Sequence, residues 1–368
     1  MKFIDANTAT DLDRFYAIGS EIYSQNPYYR ASEDDILRLV IDGPTFFHKH
    51  AQVNPIIVEK DGILICRFAF ILDSLLPDYV QVAFFEAKFG LENIAEEIIN
   101  EAKNRFPNKI KICFGLNGHL NYGAGILLNN FDKVPIFGLP YNLPYYKDYF
   151  SKLEARKILS FKFPARTSEN FINLTSKIKL DKNISIKKLN KKNLSEYSKI
   201  YTQLNNTCFR EHPFWAEREA VEDLELFEQF QFLIQEENLL IAEYSGEPVG
   251  FLFWFPDFNQ LLKRNRELKA SSNFSKDVLR FKLFNPIKAF RFTEIGVDPK
   301  FRKKGIEMAL INQMVQDVLI AGYKSGIGGF IFEENKDSIN MAIKYIERIC
   351  GEKVVPDSQY AVFETNLR

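Results

Sequence analysis

The stretch Phe292-Thr-Glu-Ile-Gly-Val-Asp-Pro-Lys-Phe-Arg-Lys-Lys-Gly-Ile-Glu-Met-Ala-Leu-Ile311 decides how this chain is read. Its first part is rich in β-branched and aromatic residues and predicts a strand over 291–297. Pro299 then forces a turn, and three consecutive cations, Arg302, Lys303 and Lys304, lead to Gly305. From there Ile306, Leu310, Met314, Val318 and Ala321 keep helical spacing, with Gly322 placed as the stop, so a helix is expected from about Gly305 to Ala321. Three cations at a helix start are electrostatically odd, because that end already carries a partial positive charge and unsatisfied N–H groups. An anion such as a phosphate or pyrophosphate filling the turn accounts for them, with Gly305 allowing close approach of the backbone. A solvated basic turn is the alternative.

Outward from this segment, the same order of elements occurs twice. The second occurrence begins with a strand at Ile184 to Lys188 and a helix from Asn193, a plausible N-cap, to about Thr207. Strands Leu239 to Tyr244 and Val249 to Phe255 flank the turn Ser245-Gly246-Glu247-Pro248. Beyond the decisive segment come the strand Gly328 to Phe332, the helix Lys336 to Ile349 and the strand Gln359 to Glu364. The first occurrence has a strand at Lys2 to Asp5, a helix over Thr10 to Tyr23, and a hairpin turning at Asp61-Gly62, where positive φ is wanted. It continues with a strand at Tyr79 to Phe85, a helix at Leu91 to Arg105, a strand at Ile110 to Gly115, a helix near Tyr145 to Leu153 and a strand at Ile158 to Phe163. The expected units are 1–165 and 184–368, joined by a polar, Lys-rich linker at 166–183. The basic stretch Pro256 to Pro286 reads as an insertion.

The length of 368 residues suits two domains, and 46% hydrophobic content with 35 Phe and 16 Tyr supplies their cores. Lys plus Arg and Asp plus Glu balance at 48 each, which leaves no global field to steer the chain to nucleic acid or an anionic membrane. Cys66, Cys113, Cys208 and Cys350 are scattered, without a CxxC pair, and read as free thiols. An N-terminus with acidic residues in place of an apolar signal core, and no window near the roughly 20 apolar residues of a membrane span, predict a soluble, cytoplasmic protein.

The run from Val297 to Ile306 resembles the cofactor-binding motif of the GNAT superfamily of acyl-CoA N-acyltransferases, a Val-x-Pro-x-x-Arg-x-x-Gly pattern after the fourth strand. Downstream, Phe330-Ile-Phe-Glu-Glu-Asn335-Lys-Asp-Ser-Ile is similar to the family's second motif. The resemblance implies an α/β fold of two tandem GNAT domains, each a mostly antiparallel mixed sheet flanked by helices. It implies acetyl-CoA or another acyl-CoA as co-substrate, with no metal, held by Ile295, Val297, Arg302, Lys303, Lys304, Gly305, Ile306 and Asn335. It also implies a small-molecule or peptide amine as acceptor; neither nucleic acid nor membrane is expected as a partner, on the balanced charge and the lack of an apolar span. Acidic residues are found at this place on the strand in many relatives, which points to Glu294 as base, with Glu333 as substitute; a strand-end carboxylate paired with a neighbouring cation is the other reading of Glu294. The segment Asn205 to Trp215 matches the wall of the acceptor pocket and nominates Arg210 and Trp215. Two positions depart from the family. Glu307 stands where Gly or Ala is usual, and Ala342 stands where many members carry an acidic Tyr, with Tyr345 out of register.

The corresponding turn of the first half, Phe85-Glu-Ala-Lys-Phe-Gly-Leu-Glu-Asn93, has Lys88 as its one cation. It resembles tandem members in which one copy has lost cofactor binding. The pieces Asn26 to Tyr29 and Leu139 to Tyr146 resemble a group of bacterial tandem proteins of this kind. Two other readings stay open: a non-catalytic binder of CoA or a small ligand, suggested by Glu307 and Ala342, and an aminoacyl-tRNA-dependent transferase, for which the basic insertion is the one supporting feature. His48 and His50 would share one face of an extended segment, either as a solvated pair or as part of a metal site. Cys208 and His212 lie at helical spacing, read as cleft lining in preference to a nucleophile pair. The tyrosines from Tyr141 to Tyr149 are expected to pack behind a helix opened by Pro144.

Overall fold

The computed structural model describes residues 1–31, 34–164, 170, 172–173, 181–262, 283–351 and 353–368. Its strands are β1 (Lys2–Asp5), β2 (Ala51–Lys60), β3 (Ile63–Asp73), β4 (Tyr79–Ala87), β5 (Lys111–Phe114), β6 (Ile126–Leu127), β7 (Glu154–Pro164), β8 (Ile184–Lys188), β9 (Leu239–Tyr244), β10 (Glu247–Pro256), β11 (Ala289–Val297), β12 (Ser325–Phe332) and β13 (Gln359–Asn366). The helices are α1 (Ala9–Tyr23), α2 (Asp34–Ile41), α3 (Ile94–Arg105), α4 (Tyr146–Tyr149), α5 (Leu194–Phe209), α6 (Ala220–Phe230), α7 (Ile306–Ile320) and α8 (Lys336–Cys350).

One mixed sheet runs through the molecule in the order β1-β2-β3-β4-β5-β13-β7-β12-β11-β10-β9-β8, with β6 against β13. Both hairpins turn through two left-handed residues, Asp61 and Gly62 (φ 53° and 78°), as that sequence predicts, and Ser245 and Gly246 (φ 54° and 88°), where the turn is shorter than the expected Ser245 to Pro248 because Glu247 and Pro248 pair with Tyr244 and Glu243 as part of β10. At the centre, the strands that close the two halves are exchanged. β7, from the end of the first half in sequence, pairs with β12 of the second, and the C-terminal β13 pairs with β5 of the first. β7 and β13 pair with each other along Gln359 to Glu364, so the two repeats share a continuous hydrogen-bonded seam.

Each repeat opens at the same place. Parallel pairing between β4 and β5 runs from Tyr79 to Val82 and stops, and that between β11 and β12 runs from Ala289 to Phe292 and stops. The C-terminal ends of β4 and β11 therefore diverge from their parallel neighbours. Below the sheet of the first half, α3 and α4 cover a core around Phe85, Phe114 and Phe150, while α1 and α2 cover the other face around Phe15 and Ile57. In the second half α7 buries Ile306, Leu310, Met314 and Val318 against β9 to β11, and α5 and α6 cover the opposite face. α7 ends in a Schellman arrangement, Tyr323 N–H bonding to Val318 at 3.2 Å and Gly322 N–H to Leu319 at 3.0 Å, with Gly322 left-handed.

Several expectations change. Helix α4 covers Tyr146–Tyr149, shorter than 145–153, because Tyr149 is anchored through its hydroxyl to Lys88 O at 2.5 Å and Tyr145 to Ala87 O at 2.8 Å, which ends the helix against β4. Residues Phe46–Lys49 form a 3-10 turn, not an extended segment. His48 bonds to Thr45 and Val40, and His50 bridges Asp73 at 2.9 Å and Glu222 at 3.2 Å, so neither is a solvated surface imidazole. Asn193 occupies the cap position of α5 without a side-chain cap bond. Helix α2 has no counterpart in the sequence reading. Most of the expected linker 166–183 and most of the 256–286 insertion lie outside the described residues. Among the described residues no helix is long and apolar enough to cross a membrane, and no group of three His, Cys, Asp or Glu side chains is arranged to hold a metal.

Candidate active site

The site is built on β11, the turn that follows it, and α5. Past Phe292, β11 alternates its side chains between two helices. Val297 is buried and Ile295 partly buried in the core shared with α7, while Glu294 and Gly296 face α5. Gly296 permits this layering: a Cβ there would meet the Phe251 ring at 2.6 Å and the Cys208 side chain at 2.9 Å. Cys208 is thus wedged against the strand, and burial pushes its thiol up to about 12, which suits packing and removes it as a nucleophile.

Glu294 stands opposite Phe253 on β10, beside a register shift between Phe253 and Trp254. Its carboxylate accepts hydrogen bonds from the Tyr201 hydroxyl and, at 2.9 Å, from Asn205 Nδ2, both on α5. Burial raises its pKa above the ordinary carboxylate value, opposed by these two donors and by the nearby Arg218 guanidinium. Behind them is a buried polar network. Asn205 Oδ1 accepts from Arg218 Nη2 at 3.1 Å, and Arg218 makes a two-point ion pair with Asp223 at 3.0 Å. Thr202 donates to the same Asp223 at 2.7 Å.

The first half completes this network. Asn121 Nδ2 donates to the Tyr201 hydroxyl at 3.2 Å, and His119 lies within 3.0 Å of Arg218 Nη1. Burial, with Arg218 beside it, holds the His119 pKa well below its usual value, so the ring is neutral and its Nε2 meets Ala216 O at 3.1 Å. A neutral imidazole here avoids placing a second cation against Arg218.

After Val297 the chain turns through Pro299–Phe301, with Asp298 accepting from Lys300 N–H at 2.9 Å. Lys303 and Gly305 are both left-handed (φ 65° and 84°) and steer it into α7. Gly305 caps that helix with no side-chain hydrogen bond, so the first-turn N–H groups of α7 have no capping side chain. Arg302, Lys303 and Lys304 are exposed. Arg302 Nε reaches back to Val297 O at 3.3 Å, and the Lys304 ammonium sits 4.6 Å over the Tyr244 ring. Glu307 is partly buried in the first turn of α7.

The structure therefore brings Glu294, Ile295, Val297 and 302–306 together on one strand, turn and helix start. Asn335 caps α8, its side chain accepting from Ser338 N–H at 3.1 Å. Glu333 follows β12 and is tied through its main chain to Lys157 at 2.8 Å. Trp215 packs on His119, on Phe209 and under Arg218, beside the Glu294 network. Arg210 is exposed and paired with Glu217 at 2.9 Å, apart from that network. Ala342 packs beside Phe161 and Ile339. Sequence reasoning did not find Tyr201, Arg218, Asp223, His119 or Asn121, and met Asn205 only as the first residue of the pocket-wall segment. The i, i+4 spacing of Tyr201 and Asn205 on one helix face was the available signal for two of them, and the others meet through the tertiary fold.

No family model matches the chain. Protein YghO of Escherichia coli (strain K12) is 21% identical over 274 residues, which is 72% of this chain and 67% of that protein. Among solved structures, a tandem GNAT protein from the clavulanic acid biosynthesis pathway, solved without acetyl-CoA, superposes with a TM-score of 0.55 at 11% identity, covering 100% of this chain and 98% of that one. A GCN5-related N-acetyltransferase from Sphaerobacter thermophilus gives 0.51 at 11% identity over 100% and 96% of the chains. The fold is thus that of the GNAT acetyltransferases, present twice.

Proposed function

We propose that the chain is an acyl-CoA-dependent N-acyltransferase whose working site is in the second half. The observation that supports this best is the main chain of β11, freed from β12 after Phe292 and leading directly to a glycine-capped helix start flanked by three exposed cations. An extended pantetheine arm would pair with the free edge of Thr293 to Val297. The backbone N–H groups of 302 to 306, with Arg302 and Lys304, would hold the pyrophosphate.

CoA presents the acyl group as a thioester, and the chain supplies position and a base. Glu294, with its raised pKa, takes a proton from the ammonium of a small-molecule or peptide acceptor. The free amine attacks the thioester carbonyl, the C–N bond forms, the C–S bond breaks, and the departing thiolate takes up the second proton, the one the attacking nitrogen loses as it becomes an amide. Tyr201 and Asn205 hold the carboxylate in place for that step. The test is a thiol-release assay with acetyl-CoA and a panel of primary amines, from polyamines to peptides with free N-termini. Amine-dependent release of CoA is expected, and tight CoA binding with no turnover on any amine would favour a CoA-binding module instead.

A further inference from the structure

The first repeat opens where the second does, and its opening holds charged groups instead of a phosphate turn. The divergence of β4 from β5 leaves a pocket of about 70 Å³ lined by Tyr29, Asp34, Arg67, Glu86, Tyr141 and Tyr146, among others. Arg67 on β3 and Glu86 on β4 stand directly opposite each other in register, yet they form no ion pair. Arg67 is 5% exposed, and its Nε is buried with no hydrogen-bond partner; Nη1 reaches Phe15 O at 3.2 Å. Tyr23 and Tyr146 both donate to Glu86 Oε2, at 2.8 and 2.6 Å. Burial raises the carboxyl of Glu86 to about 7 and that of Asp34 to about 6.

Buried charges are ordinarily paired or fully hydrogen-bonded, and a guanidinium nitrogen left orphaned carries a desolvation cost. Two carboxyl groups and a guanidinium lining one pocket, with no ion pair between Arg67 and either carboxyl, complement a ligand that carries both signs. We propose that this pocket is a binding site for a small zwitterion, an amino-acid-like molecule whose carboxylate meets Arg67 and whose ammonium meets Glu86 and Asp34. Tyr29 and Tyr141 would flank its side chain. The site does not depend on acyl transfer in the other half.

The test uses the full chain and calorimetric titration with each of the twenty L-amino acids, with ethylamine and propionate as single-charge controls. At least one amino acid is expected to bind one per chain, tenfold or more tighter than either control. Glu86→Gln and Arg67→Met should each weaken it at least tenfold, whereas Glu294→Gln leaves it unchanged. If Arg67→Met fails to fold, Glu86→Gln alone decides. The proposal is overturned if no amino acid binds, if a control binds as tightly, if Glu86→Gln has no effect, or if only Glu294→Gln removes binding.

Discussion

Asn121, from the first half, donates to the Tyr201 hydroxyl of the second at 3.2 Å, and that hydroxyl donates in turn to Glu294. The acidic residue of the second half is thus oriented by a chain of hydrogen bonds that begins in the first. A first copy without a basic turn still shapes the proposed site.

Glu294→Gln removes the base while keeping the side chain's size, and its single amide oxygen can still accept from one of the two donors, Tyr201 and Asn205, that meet the carboxylate. With an acceptor identified, kcat should fall by roughly 10² or more while affinity for CoA stays near the parent value. Because burial raises the Glu294 pKa, the parent rate should be lost as pH falls through a limb lying above the ordinary carboxylate value of about 4.3, and the Gln variant should lack that limb. A variant that turns over at the parent rate from pH 6 to 9 would remove Glu294 from the chemistry.

Removing residues 359–368 takes out β13, which lies between β5 and β7. Two internal strands would then lose their partner, and both halves should be destabilised together. Such a chain is expected to be insoluble or to lose its cooperative thermal transition. A truncated chain that melts as the parent does would contradict the exchanged-strand arrangement.

Much of this was legible in the sequence and some of it was not. The hairpin at Asp61-Gly62 and the helix from Ile306 to its Gly322 stop are written in local turn chemistry and periodicity, so they appear where expected, and the second hairpin lies between the expected strands with a turn two residues shorter. The exchange of β7 and β13 is invisible locally, since a strand reads the same whichever neighbour it joins. The same holds for Arg218 and His119, which lie 99 residues apart and acquire meaning through burial against each other. His50 misled because its 3-10 turn and its two carboxylate partners come from distant parts of the chain.

Stability should also depend on pH through Glu86. Its folded pKa, raised to about 7 by burial, exceeds the unfolded value of about 4.3. The folded state therefore holds a proton that the unfolded chain has released, and this contribution is full below pH 4.3 and lost as pH rises through 7. The loss is on the order of 3 kcal/mol, and Glu86→Gln should flatten the fall in stability measured by denaturant unfolding between pH 5 and 8. An equally steep fall in the variant would assign the effect elsewhere.

The central claim, that the basic turn of the second half alone holds CoA, is tested most directly by calorimetric titration of the intact chain with acetyl-CoA. One site per chain is expected, weakened at least tenfold, about 1.4 kcal/mol, in the double variant Arg302→Glu with Lys304→Glu. Two sites per chain, no binding, or a double variant with unchanged affinity would contradict it.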